Sequence, residues 1–77
     1  MRIDLRNLEL KVFTEQDAED YCNLNSINLN KITDLNLSHN KLTDISGIKL
    51  FKNIKELYLQ DNKLINISIS VLKNLKN

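Results

Sequence analysis

The sequence predicts a small α/β fold in which short parallel strands stack through repeated units into a solenoid. The stretch ITDLNLSHNKL, which begins at Ile32, recurs in register as IKELYLQDNKL, which begins at Ile54. Within each unit the apolar spacing changes from two residues to about three, as expected when a strand leads into a turning return segment. Such self-similarity at a fixed period indicates a repeat protein. The matched pairs are Ile32 with Ile54, Leu35 with Leu57, Leu37 with Leu59, Asn40 with Asn62, Lys41 with Lys63 and Leu42 with Leu64.

Each repeat is predicted to begin with a short strand. In the runs Leu35-Asn36-Leu37 and Leu57-Tyr58-Leu59, alternation turns the leucines to one side and the middle residue to the other. Stacked units then make these strands parallel neighbours and bury the leucines between successive units. The middle residues are expected on the outer surface.

The return segment after the first of these strands is predicted to be 3₁₀-helical or irregular. Its apolar residues recur about every three positions and include Ile45, Ile48 and Phe51, a spacing that suits a tighter turn than a strand. Gly47 lies within this segment, where we expect a tight bend. Asn40 lies where the chain turns away from the strand, and a buried amide there can satisfy backbone groups that no sheet partner reaches.

Both repeats have the form L-x-x-L-x-L-x-x-N-x-L, and residues 29–67 resemble the leucine-rich repeat family. The Asp44-Ile45 pair is similar to the internalin-like variety with 22-residue repeats. The resemblance implies parallel strands on a concave face, return segments on a convex face and an asparagine ladder to which Asn40 and Asn62 match. It also implies protein recognition through the concave face, since members of the family mostly bind partners there.

A divergent first repeat is predicted before Ile32. In LRNLELKVF, residues 5–13, the leucines at positions 5, 8 and 10 align at one common offset with Ile32, Leu35 and Leu37. Phe13 then stands where the asparagine is expected, so the ladder should not extend into this repeat. The alignment predicts that the first strand contains Leu8 in its core-facing row.

A helix over about residues 15–22 is predicted to replace the return segment of the first repeat. Thr14 and Asp17 form a Thr-x-x-Asp variant of the capping box, and acidic residues in the first turn favour the positive end of the helix dipole. Ala18, Tyr21 and Cys22 share one face. We expect this helix to cover the open end of the solenoid.

The whole chain is predicted to be one leucine-rich-repeat domain, residues 1–77. It divides into a divergent first repeat with the helix (1–31), one full repeat (32–53) and a last repeat with a short C-terminal helical cap that starts at Ser70 (54–77). The 77 residues are near the lower size at which a single core suffices. A piece cut from a longer protein is an alternative reading.

Composition indicates an intracellular protein, and we expect a cytoplasmic location. No apolar run is long enough for a membrane span, and the first residues lack the apolar core of a secretory signal. Cys22 is the only cysteine, which excludes an internal disulfide and fits a reducing compartment.

No motif in the sequence predicts catalysis, and we expect no enzyme activity, no cofactor and no metal. His39 is the only histidine, and no motif places a carboxylate or thiol beside it. Cys22 is expected in the core rather than as a nucleophile. The sequence has neither a glycine-rich phosphate loop nor metal-ligand spacing.

The strand residues that face away from the core are predicted to form a binding face with Tyr58 as its anchor. A lone surface tyrosine is the alternative reading. The neighbouring acids predict a partner patch that is neutral to basic. The predicted rows are Asn7, Asp34 and Glu56; Glu9, Asn36 and Tyr58; Lys11, Ser38 and Gln60; and Val12, His39 and Asp61. The residues expected to contact the partner are Tyr58, Asn36, Asp34, Glu56, Ser38, Gln60, His39 and Asp61.

The function expected from these features is that of a protein-protein interaction module. One alternative is a small self-contained inhibitor of a larger effector, of the type that phages encode as anti-CRISPR proteins; another is a structural end piece of a longer solenoid. A third is nucleic-acid binding through Lys49, Lys52 and Lys55. The near balance of eleven basic and ten acidic residues and the lack of interleaved aromatic residues weigh against the third.

Overall fold

The structure is a computed structural model that describes residues 1–64. In these residues three short strands, β1 (Arg2–Asp4), β2 (Asp34–Asn36) and β3 (Glu56–Tyr58), form an open parallel sheet in the order β1-β2-β3. Leu35 of β2 lies opposite Leu57 of β3, which is the register that the sequence repeat predicts. The prediction of an α/β fold with parallel neighbouring strands is confirmed.

Helix α1 (Glu15–Leu24) lies between β1 and β2 in the chain. It begins at the predicted capping box. Thr14 Oγ1 accepts a hydrogen bond from the Asp17 backbone N–H (3.2 Å), and Asp17 Oδ2 accepts one from the Thr14 backbone N–H (3.0 Å). Ala18 and Cys22 are buried. The predicted helix is therefore confirmed, and it ends at Leu24 where the sequence predicted an end at about Cys22.

Two 3₁₀ helices complete the described elements, the first at Leu29–Lys31 and the second at Ser46–Leu50. The second 3₁₀ helix lies in the predicted return segment between β2 and β3, and it buries Ile48 while Ile45 and Phe51 are buried at its two ends. Helix α1 packs against it. The period-three spacing thus indicated the correct kind of element.

Gly47 allows the second 3₁₀ helix to approach the start of α1. Its φ is not in the left-handed region. A Cβ atom at Gly47 would lie 2.3 Å from the carbonyl oxygen of Thr14, far inside van der Waals contact. The Gly47 backbone N–H also donates to the Phe13 carbonyl at 2.8 Å. The absence of a side chain is therefore needed for a close backbone contact.

The core lies between the sheet and the connecting segments. Phe13, just before α1, and Phe51, just after the second 3₁₀ helix, pack together in it with their ring centroids 6.2 Å apart and their planes tilted by 31°. Leu57 and Leu59 are less buried than Leu35 and Leu37, their equivalents one repeat earlier. The buried apolar residues are Ile3, Leu5, Phe13, Ala18, Cys22, Ile32, Leu35, Leu37, Leu42, Ile45, Ile48, Phe51 and Ile54.

The predicted register of the first repeat is wrong. Leu35 lies opposite Ile3 of β1, whereas the sequence alignment had matched it with Leu8. Leu8, which was predicted to face the core from a strand, has 54% of its surface exposed. The connection from β1 to β2, which contains α1, is longer than the alignment assumed. The observed register continues past the strand, where Val12 forms a parallel bridge with Asp44.

No helix among residues 1–64 is long and apolar enough to cross a membrane. The predicted C-terminal cap, which starts at Ser70, lies outside the described residues. The same holds for the last part of the predicted third repeat.

Candidate functional site

The outward-facing side of the sheet carries polar and aromatic side chains in rows, and we call it the outer strand face. Its residues are Arg2, Asp4, Asp34, Asn36, Glu56 and Tyr58. These residues alternate with the core-facing residue of each strand, and the strand registers align them. The first row is Arg2, Asp34 and Glu56, and the second is Asp4, Asn36 and Tyr58. Arg2 and Asp4 therefore take the places that were predicted for Asn7 and Glu9.

Tyr58 lies at the β3 end of the second row and is half-buried. Its backbone carbonyl accepts a hydrogen bond of 2.9 Å from Leu37, which ties its position to β2. Asn36, the next residue in the row, is half-buried as well. The predicted central pair of the face thus lies on adjacent, hydrogen-bonded strands.

Ser38 does not belong to the outer strand face, contrary to the prediction. Only 1% of its surface is exposed, so it cannot contact a partner. Its hydroxyl donates to Asn36 Oδ1 at 2.6 Å, and its backbone N–H donates to the same oxygen at 3.0 Å. These bonds fold the chain inward at the end of β2 and hold the Asn36 side chain in place.

The negatively charged carboxylate of Asp4 lies at the β1 end of the second row, where hydrogen bonds hold it in position. The carboxylate accepts hydrogen bonds from the backbone N–H of Arg6 (3.1 Å) and from Arg6 Nε (3.0 Å), and Arg6 Nη2 lies 3.0 Å from its second oxygen. The backbone hydrogen bond, followed by the Arg6 side chain and the charge of Arg2, holds the pKa of Asp4 below its usual range. Sequence reasoning missed Asp4 because it misplaced the first strand.

Just beyond the strands, Asn7, His39 and Asp61 form another row in which all three residues have the left-handed conformation, with φ of 56°, 57° and 58°. Asn, Asp and His tolerate this conformation better than most residues. The sequence predicted this row as Val12, His39 and Asp61. In the structure its first member is Asn7 and not Val12. The backbone alone therefore explains why these residue types stand here.

His39 has a carboxylate partner that no motif predicted. Its Nδ1 lies 2.7 Å from Asp61 Oδ2, and both side chains are substantially exposed. The pair results from the shared backbone conformation one unit apart. Gln60, whose carbonyl accepts the His39 backbone N–H at 2.9 Å, is exposed beside it. The three side chains extend the outer strand face with groups that can form hydrogen bonds.

Asn40 fixes the edge of the outer strand face from behind. Its Nδ2 donates to the carbonyls of Leu37 (2.9 Å) and Leu5 (3.0 Å). Its Oδ1 accepts from the backbone N–H groups of Leu8 (2.9 Å) and Leu10 (3.1 Å). One buried amide thus satisfies backbone groups of its own segment and of the preceding segment, as predicted.

Asn62 repeats this arrangement one unit later. Its Nδ2 donates to the carbonyls of Leu59 (3.0 Å) and Leu37 (2.9 Å), and its Oδ1 accepts from the Leu42 backbone N–H at 3.0 Å. As predicted, the first segment contributes no asparagine to this arrangement, although Leu8 and not Phe13 holds the matching position. Asn40 itself reaches back to the first segment.

The lysines proposed as a nucleic-acid surface do not form one continuous ridge. Lys49 Nζ lies 3.1 Å from Glu15 Oε1 of α1, so its charge is paired. Lys31, Lys52 and Lys55 instead line a surface depression of about 410 Å³. It lies at the end of the sheet where the strands begin, next to the first row. Pairing of Lys49 weakens the electrostatic attraction that a phosphate backbone would need.

Cys22 is placed for packing and not for chemistry. Its side chain is buried on the core-facing side of α1, and burial raises the pKa of its thiol. A raised pKa disfavours the thiolate that acts as a nucleophile or metal ligand. Among residues 1–64 no group of three or more His, Cys, Asp and Glu side chains could hold a metal ion.

The outer strand face presents side chains that can form noncovalent contacts. Tyr58 supplies apolar area with a polar tip, the carboxylates supply charge, and Asn36, Gln60 and His39 supply hydrogen-bonding groups. Comparisons of the chain with protein-family models, with curated proteins and with solved structures found no match.

Proposed function

We propose that this chain is a leucine-rich-repeat module that binds another protein through the outer strand face. The observation that carries the proposal is the row Asp4, Asn36 and Tyr58, in which parallel strands align an acid, an amide and an aromatic ring side by side. Support for the repeat type comes from the two matching sequence units and from the backbone contacts of Asn40 and Asn62.

Tyr58 is the expected anchor of the interface. Aromatic residues on a rigid scaffold bury a large area at a small cost in side-chain entropy, and they dominate the binding energy of many interfaces. Tyr58 lies on a strand whose backbone is bonded to β2. A partner that covers the row would complete the burial of a ring that is already partly desolvated.

The charge of the face indicates a partner surface that is neutral to basic. Asp34 and Glu56 lie in the first row and Asp61 lies beyond β3. Arg2 adds a positive charge at the β1 end of the outer strand face. The negative charge of the face therefore increases from β1 towards Tyr58. Binding should weaken as salt is raised, because exposed charges are screened over a Debye length of about 10 Å at 0.1 M salt.

The test compares capture of a partner from an extract of the source organism by the parent chain and by Tyr58→Ala. Loss of an aromatic anchor should lower the affinity about thirtyfold, since about 2 kcal/mol is a common cost. Because Tyr58 is half-buried, circular dichroism must show that the variant is folded at the assay temperature. Tyr58→Phe, which keeps the ring, should bind nearly as well as the parent chain.

Lys52→Ala serves as the control away from the outer strand face, and it should leave capture unchanged. A variant with Lys31, Lys52 and Lys55 reversed to Glu tests the opposite assignment. If capture survives Tyr58→Ala and is lost on this reversal, the lysine-lined depression is the binding surface and the proposal is wrong.

A further inference from the structure

The outer edge of β1 presents paired backbone groups to solvent. The Met1 carbonyl accepts from the Asp34 N–H, and the Leu5 N–H donates to the Asn36 carbonyl. Because backbone groups alternate in direction along a strand, the N–H and C=O groups of Arg2 and Asp4 point away from β2. No strand of the described residues pairs with this edge. Such an edge is a template for pairing with another chain.

Exposed apolar side chains adjoin this edge. The segment after β1 lies against residues 36–44 through its backbone bonds, so its other side continues the open edge of β1. On it, Leu8 and Val12 keep 54% and 44% of their surface exposed. With Leu10 and Tyr21 they line a depression of about 520 Å³. An apolar depression next to an open strand edge is typical of an interaction surface.

The sequence of β1 is self-complementary in charge when two copies run antiparallel. A two-fold axis through Ile3 places Arg2 of each copy directly opposite Asp4 of the other, at positions whose outward N–H and C=O groups can form a hydrogen-bonded pair. An axis through Arg2 would oppose two arginines, and an axis through Asp4 would oppose two aspartates. Like charges directly opposite destabilise a pair of strands. Asp4 is also paired with Arg6 of its own chain at 3.0 Å, and because a carboxylate has room for more than one donor, charge still favours this register over the other two.

We propose that the β1 edge is a self-association interface, at which two copies of this chain pair their β1 strands antiparallel around Ile3. The contact is isologous, since both copies use the same edge, so it closes as a dimer. The dimer joins the two three-stranded sheets into one, and the outer strand faces of the copies become continuous. In this register residues 1–5 of the two copies lie opposite one another, and Leu8 and Val12 lie beyond the paired strands. The inference is independent of the proposed partner protein, since it requires the purified chain alone.

Sedimentation equilibrium of the whole chain, from about 1 µM to about 1 mM, measures the association directly. We expect the dimer fraction to rise with concentration. Arg2→Glu replaces two attractive pairs by two repulsive pairs and should weaken the dimer at least about tenfold. Lys52→Glu makes the same change in net charge away from this edge and should leave the dimer unchanged.

Two further variants test the register and the backbone pairing. Asp4→Lys should weaken the dimer, and the combination Arg2→Glu with Asp4→Lys should restore it, because the pairs become complementary again. Asp4 also bonds to the Arg6 backbone, so folding of both variants is checked by circular dichroism. Arg2→Pro removes an outward N–H without removing a bond to β2, and it should weaken the dimer at an unchanged melting temperature.

A chain that stays monomeric up to about 1 mM would overturn the proposal. So would a dimer that resists both Arg2→Glu and Arg2→Pro, or one that Lys52→Glu weakens as much as Arg2→Glu does. If the folded double variant fails to recover the dimer, the antiparallel register around Ile3 is wrong.

Discussion

Asparagine at position 40 shows how one side chain can join two segments of the chain. A carboxamide has two donor hydrogens and an acceptor oxygen with two lone pairs, and Asn40 uses both ends on backbone groups of its own segment and of the distant first segment. An aspartate would lack the donors and a leucine would lack both functions. Leu8, at the matching position of the first segment, makes no comparable bridge and is exposed. Side-chain chemistry at this one position therefore connects the strand ends.

Asn40→Ala should lower the free energy of unfolding by about 3 kcal/mol, because it leaves buried backbone groups of Leu5 and Leu37 without their donor. Urea denaturation measures the change. Asn53→Ala is the matched control, since its single bond to the Asn30 carbonyl is exposed, and it should cost less than about 1 kcal/mol. Equal losses for the two variants would show that Asn40 has no special role.

At the scale of elements, α1 is held by its contact with the second 3₁₀ helix. The capping box stabilises its first turn, and the ion pair between Glu15 and Lys49 joins the two elements at exposed positions, where such pairs contribute little. The closest contact is between backbones, where Gly47 meets Thr14. The absence of one Cβ atom therefore determines how near the return segment comes to α1.

Gly47→Ala should destabilise the protein by about 1 to 3 kcal/mol, because its new Cβ atom would lie 2.3 Å from a backbone oxygen and one of the two elements must move. We expect faster amide hydrogen exchange in α1 together with a lower melting temperature. Ser46→Ala, one residue earlier in the same 3₁₀ helix, should change neither quantity by much. Closely matching melting temperatures for the two variants would contradict the close contact.

On the scale of the whole molecule, one core serves the sheet, α1 and the second 3₁₀ helix. Leu37 has no exposed surface, whereas Leu59, its equivalent one repeat later, is half-buried. Leu37 has packed segments on both sides. Equivalent positions in the two repeats therefore contribute different amounts to the free energy of unfolding. In a domain of this size a single buried leucine is a large share of a total stability of about 5 to 15 kcal/mol.

Leu37→Ala should lower the stability by about 2 to 5 kcal/mol through the lost burial and the cavity left behind. A loss at the lower end corresponds to a fall of about 10 °C in the melting temperature of a small domain. Leu59→Ala should cost less, in proportion to its partial burial. Thermal unfolding followed by circular dichroism compares them, and a larger effect of Leu59→Ala would contradict the described core.

Local sequence determined the elements whose signals lie within a few residues or repeat without interruption. The repeat that begins at Ile32 and again at Ile54 predicted the registry of β2 and β3. It also placed Asn36 and Tyr58, with their acidic neighbours, on the outer strand face. The strand alternation and the turn spacing depend only on residues that are close together in the sequence. Both patterns are therefore the same in the two repeats. Most of the candidate face followed from them.

Only the tertiary structure decided the features that depend on how distant segments of the chain meet. The register of β1 follows from the length of a connection that contains α1. A signal for it existed, since Ile3, Leu5 and Leu10 match Leu35, Leu37 and Leu42 at one common offset. The alternative alignment, which starts from Leu5 and Ile32, matches as many apolar residues, so periodicity could not choose between them.

Two features of the folded chain have no periodic signal in the sequence. They are the burial of Ser38 and the approach of Gly47 to Thr14. They arise where backbones pack against each other, because packing sets those distances and sequence spacing does not.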